Sequence, residues 1–172
     1  TCPACKHVNH RDLSDPEGSE EKAEQEDAEP LGLSPVQVPP GTSLFLLLVG
    51  NEQTRTAIRS YFQARELRVI EVQDARMGRA YLRINRIQWA VLEDSAVGRE
   101  ILEEIHRLPG RDRREMNCVL IGDQAACFDP LAAFVAGVNS YIHPKDQMGL
   151  DKALDQAQNM FDHHRQLWMA NA

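Results

Sequence analysis

Apolar and polar positions change rhythm repeatedly over the last three quarters of the chain. Leu44–Val49 is a short unbroken apolar run, the pattern of a strand buried on both faces of a sheet. Thr54–Arg65 then places Ile58, Tyr61 and Phe62 at helical spacing, with Thr54 near its start. Arg68–Val72 alternates and is rich in β-branched residues, which predicts a second strand. Asp74–Asn85 predicts a helix with Met77, Ala80, Tyr81 and Ile84 on one face. Gln88–Leu92 and Asn117–Ile121 predict strands, with a helix over Arg99–Leu108 between them. Pro130–Gly137 carries proline in its first turn and a terminating glycine, the usual asymmetry of a short helix. Ser140–His143 reads as a fifth strand and Leu150–Met169 as a last helix. Five strand–helix units with short connections imply an α/β domain whose parallel sheet is covered on both faces by helices.

The residues before this domain follow another pattern. Residues 1–10 hold Cys2 and Cys5. Residues 11–41 form a linker, acidic first and then proline-rich, with no helical or alternating apolar period. Too little apolar surface is available there to offset chain entropy, so an extended or unstructured linker is expected. Residues 42–172 make up the folded domain. The formal net charge of -7 is unevenly spread: residues 12–29 hold nine acids and one base, whereas residues 30–172 are within one charge of neutral. Net acidity argues against general nucleic-acid binding. With 42% hydrophobic and 26% charged residues the chain has a globular composition. The longest apolar run is too short to span a bilayer, no leader precedes it, and no membrane insertion is expected. The sparse cysteines fit a reducing, cytoplasmic setting.

Three stretches in order turn this rhythm into a family likeness: L-F-L-L-L-V-G-N-E-Q-T-R, W-A-V-L-E-D-S and A-G-V-N-S-Y-I-H-P. Over roughly residues 43–168 the chain resembles the response-regulator receiver domain, a flavodoxin-like (βα)5 three-layer sandwich of bacterial phosphorelays. The resemblance implies a site at the carboxyl ends of the strands. An acid pair there holds magnesium, an aspartate accepts the phosphoryl group, and a hydroxyl and a lysine bind its oxygens. The acid-pair positions fall on Gly50 and Asn51, with Glu52 one place late. The phospho-acceptor position falls on Asp94, the hydroxyl position on Gly122, and the lysine position on Pro144, or on His143 with one deletion; Lys145 comes too late. The loop after Asp94 is about four residues short of the family pattern. A pseudo-receiver is therefore expected: not an enzyme, with no magnesium and with Asp94 a polar strand-end residue. The resemblance also implies a docking face for a protein partner or a second copy, holding Leu131, Phe134, Val135, Tyr141 and the last helix. For Tyr141 the plainer reading is a half-buried strand residue.

Cys2-x-x-Cys5 resembles one knuckle of a small bacterial zinc ribbon, incomplete because a structural zinc needs four ligands. The chain starts at Thr1, so the other knuckle is expected upstream. His7 and His10 are too close for usual ligand spacing, and an incidental cysteine pair is the alternative. Cys118 and Cys127, placed in the fourth strand and at the opening of the next helix, are expected to be buried. Arg76, Arg79, Arg83 and Arg86 line one helix face, and Arg111, Arg113 and Arg114 form a second basic patch in a loop. The plain reading is a solvated face; the functional one is an anion-binding strip for an acidic partner, nucleic acid or the 12–29 segment. His163 and His164, adjacent on a helix, point about 100° apart and cannot share a metal. Three functions follow: a non-catalytic signalling and protein-interaction module, a genuine phosphorelay receiver using Asp94, or a nucleic-acid-associated regulator using the ribbon and the arginines.

Overall fold

The computed structural model describes residues 42–170, with side chains to Trp168. Cys2, Cys5, His7, His10 and the acidic and proline-rich stretch lie outside the described residues. The elements are β1 (Leu44–Leu48), α1 (Glu52–Gln63), β2 (Arg68–Glu71), α2 (Ala75–Ile84), β3 (Ile87–Glu93), α3 (Ala96–Arg107), α4 (Gly110–Arg114), β4 (Asn117–Ile121), α5 (Pro130–Ala136), β5 (Ser140–Ile142) and α6 (Leu150–Ala170). All strands pair in parallel in the order β2-β1-β3-β4-β5, the flavodoxin-like arrangement. Crossover helices cover both faces. Among the described residues no helix is long and apolar enough to cross a membrane.

Strand alternation divides the core in two. Leu46, Leu92 and Leu120 face one way, against Ile101 and Ile105 of α3 and Leu82 of α2. Phe45, Leu47, Val91 and Val119 face the other way, against Ile58 and Phe62 of α1 and Leu154 and Ala157 of α6. On that second face Phe45 stacks on Phe62 at 4.0 Å between centroids, and Trp89 meets Phe62 edge-on at 4.8 Å.

Side-chain caps explain most differences from the expected boundaries. Asn51 Oδ1 accepts from the Thr54 amide, so α1 begins at Glu52 rather than Thr54. Ser95 Oγ accepts from the Gly98 amide, so α3 begins at Ala96 rather than Arg99. Asp129 caps α5 through the Leu131 and Ala132 amides, and Gly137 ends it in the left-handed conformation at φ 66°. Cys127 therefore lies in the turn before that helix, half-buried, rather than opening it. The expected loop carrying Arg111, Arg113 and Arg114 is instead the helical turn α4.

The buried face of α2 also departs from expectation. Its deepest positions are Ala75, Gly78 and Leu82; Met77 and Tyr81 pack only partly against the core, and Ile84 is exposed. The reason is a close helix approach. A Cβ at Gly78 would sit 2.5 Å from Ile101 Cδ1, so the glycine, not the bulky residues, sets the face that meets α3.

Candidate functional site

The sheet order β2-β1-β3 makes successive connections leave β1 in opposite directions across the sheet, and folds of this kind place ligands outside the carboxyl ends of the strands at that point. Gly50 follows β1 at that point. Its amide donates to Glu93 Oε2 at 3.0 Å, and a Cβ at Gly50 would lie 2.9 Å from the same oxygen. The carboxylate against the first turn is thus Glu93, the last residue of β3, which the sequence reading did not single out. Its signal was the alternation of β3: Glu93 has the parity of Val91 and Trp89, Asp94 that of Leu92.

The other residues singled out for this edge already have partners. The Asn51 amide oxygen is spent capping α1. Glu52 pairs with Arg55, whose Nη1 also donates to the Val49 carbonyl at 3.3 Å. Asp94, with its side chain 13% exposed, accepts on Oδ1 from Arg99 Nε at 3.1 Å and Nη2 at 3.0 Å. Only Asp94 and Ser95 link β3 to α3, and Gly98 packs so closely over the strand end that a Cβ there would fall 2.0 Å from the Glu93 carbonyl oxygen. The short connection noticed in the sequence is thus closed down onto the end of β3. His143, after β5, accepts on Nδ1 from the Lys145 amide, and its own amide donates to Cys127 Sγ. His143 and Lys145 border an open cleft of about 620 Å³ beside Asp123 and Asp146.

Gly122 has the most telling surroundings. Its Cβ position lies 2.2 Å from the Tyr141 hydroxyl and 2.9 Å from Asp94 Cβ. The Tyr141 side chain therefore fills the space that any residue larger than glycine would need. Tyr141 is 2% exposed, and its hydroxyl accepts from the Gln124 amide at 3.0 Å. That burial corrects the placing of Tyr141 on a docking face with Phe134. Phe134 is 82% exposed, and Leu131 and Val135 stand out beside it on α5.

The basic residues form no open strip. Arg79 faces Glu100 at 3.7 Å, Arg83 pairs with Glu104 at 3.2 Å, and Arg86 pairs with Glu115. Arg79 and Arg83 thus tie α2 to α3, whereas α2 ends at Ile84, so Arg86 lies beyond the helix rather than on its face and pairs with the residue after α4; Arg76, Arg83 and Arg86 are all exposed. The His163 and His164 rings lie 6.3 Å apart and tilted, without converging. Among the described residues, no three His, Cys, Asp or Glu side chains gather as a metal site would need. Cys118 is fully buried, and burial pushes its thiol up to about 12; burial also raises the half-exposed Cys127 thiol.

No family model matches the chain, and no curated protein matches it in sequence. Solved structures do match in fold. The receiver domain of a sensor histidine kinase from Pseudomonas aeruginosa PAO1, solved with a magnesium ion in its active-site cleft, is 19% identical at a TM-score of 0.54, covering 70% of this chain and 98% of that one. A CheY-like response-regulator receiver domain from Methanospirillum hungatei JF-1 is 16% identical at 0.55, over 73% and 98%. A response regulator from Thermotoga maritima is 16% identical at 0.53, over 70% and 98%. The likeness is one of fold: a receiver-type, flavodoxin-like sandwich.

Proposed function

We propose that this chain is a receiver-fold signalling module that engages a protein partner without phosphoryl transfer. The receiver fold itself suggests a signalling role, since its structural neighbours are receiver domains of response regulators and sensor kinases. The observation that carries the finer reading is the Tyr141 hydroxyl standing where a side chain at Gly122 would have to be. A receiver that transfers phosphate needs a hydroxyl there to bind the incoming phosphoryl oxygens; here a side chain at position 122 and the tyrosine exclude one another.

The remaining parts support the same reading. Magnesium demands several hard oxygen ligands in near-octahedral array. Gly50 supplies no carboxylate, the Asn51 oxygen serves a helix amide, Glu52 is turned to Arg55, Glu93 accepts from the Gly50 amide, and Asp94 is held by Arg99. This donor set does not fit the ion. Without it, and without a lysine after β5 at the family position, little would neutralise charge on a transferring phosphoryl group. Exposed Leu131, Phe134 and Val135 leave an apolar patch on α5 of the kind that marks protein contacts.

The test is phosphorylation itself. The full chain incubated with acetyl phosphate and magnesium keeps its intact mass. A gain of one phosphoryl group, lost in Asp94→Asn, would instead make it a phosphorelay receiver.

A further inference from the structure

At the opposite end of the sheet, away from the candidate site, a cleft of about 510 Å³ opens between α4, the C-terminal half of α6 and the end of α5. Its floor is apolar: Met116 and Cys118 at the amino end of β4, and Phe161 of α6, all buried. Trp168, 56% exposed, lines the cleft and carries the Arg114 guanidinium 4.2 Å from its ring centroid.

The charge of the lining is one-sided. Among the described residues, Arg113, Arg114 and Arg165 line the cleft and no carboxylate does, in a domain whose total charge is within one of neutral. The nearby acids look elsewhere. Asp112 lines a neighbouring cleft, Glu115 turns to Arg86 and Arg111, and Asp162 accepts from the Gln158 amide. Arg113 is fixed in place by donating to the Gly137 carbonyl at 2.7 Å, which leaves its other N–H groups available.

Guanidinium groups beside an apolar floor and an aromatic wall match one kind of ligand. The anionic end takes paired N–H···O bonds from arginine, and the flat part displaces water from the floor and the indole. The volume falls in the usual range for small-molecule sites, about 300–1,000 Å³. We propose that this cleft binds a small organic anion, a carboxylate or phosphate carried on a flat ring system, through Arg113, Arg114 and Arg165 around Trp168. Phe134 borders both this cleft and the apolar patch of α5, but the inference does not rest on the function proposed above.

The test uses 8-anilinonaphthalene-1-sulfonate as a flat anionic probe, titrated at low salt into the full chain. One dye binds per chain and quenches tryptophan emission, and Trp168→Phe removes that quenching, leaving buried Trp89 as the only emitter. Arg114→Gln with Arg165→Gln weakens the dye by about tenfold or more, the scale of one lost charge-assisted bond. Arg165→Gln alone, at an exposed position, weakens it in the same direction and guards against misfolding. Adenosine 5′-monophosphate or salicylate then displaces the dye, and whichever does so assigns the phosphate or the carboxylate source. Displacement by neither, unchanged affinity in the arginine variants, or loss on Leu131→Ser with Val135→Ser instead would overturn the proposal.

Discussion

A single missing side chain organises the candidate site. Gly122 leaves a space, Tyr141 fills it, and the tyrosine hydroxyl is satisfied by the Gln124 amide. Gly122→Ser should therefore force either Tyr141 or the strand end to move, costing about 1–3 kcal/mol as overpacking does. In a background of Tyr141→Ala that cost should vanish, and a double-mutant cycle by urea denaturation should return a coupling energy of most of the single-variant loss. Additive effects would mean that the two residues do not share the space. Cys118 offers a second check at this scale. Its thiol is pushed up to about 12 by burial, so the folded state disfavours the thiolate. The linked stability is fully present below the ordinary thiol value of about 8.5 and is lost as pH rises toward 12. A thiol reagent should label Cys127 before Cys118, and Cys118 only at the rate of unfolding; Cys118→Ala should flatten the alkaline decline.

At the scale of elements, the five strands and five of the helices were legible from period and from the proline and glycine bounding α5, because the central parallel strands, buried on both faces, read as continuous apolar runs. What the pattern missed has local physical causes. The helix starts at Glu52 and Ala96 were set by the capping oxygens of Asn51 and Ser95, which outrank the first apolar residue. The face of α2 was set by Gly78, whose contribution is an absence and so leaves no apolar signal. The site was legible in outline: positions 50, 51, 94, 122 and 143 do gather near the carboxyl edge. The partner of each was not, because Glu93, Arg99 and Tyr141 reach it through register and packing rather than sequence spacing. Gly98 tests this level. A Cβ there meets the Glu93 carbonyl at 2.0 Å, a backbone atom that cannot step aside. Gly98→Ala should destabilise despite a helix-propensity gain of about 1 kcal/mol, read as a lower denaturation midpoint. A stabilised variant would show that α3 does not press on the end of β3.

Over the whole molecule, charge is organised rather than merely summed. Arginines of α2 are stitched to glutamates of α3, which removes most of the cationic strip that the sequence pattern displays. Among the described residues, Arg113, Arg114 and Arg165 gather around Trp168 at the amino end of the sheet. The carboxyl end, where a phosphorylated receiver would do its chemistry, is filled by Tyr141 and closed by the Asp94–Arg99 pair. On the reading proposed above, these side chains occupy the places that a transferred phosphoryl group would engage. The most direct measurement is an amide NMR titration of the full chain with beryllofluoride and magnesium. No saturable shifts are expected at Gly50, Asp94, Gly122 or Tyr141. Saturable, magnesium-dependent shifts at those residues, abolished by Asp94→Asn or Glu93→Gln, would contradict that reading.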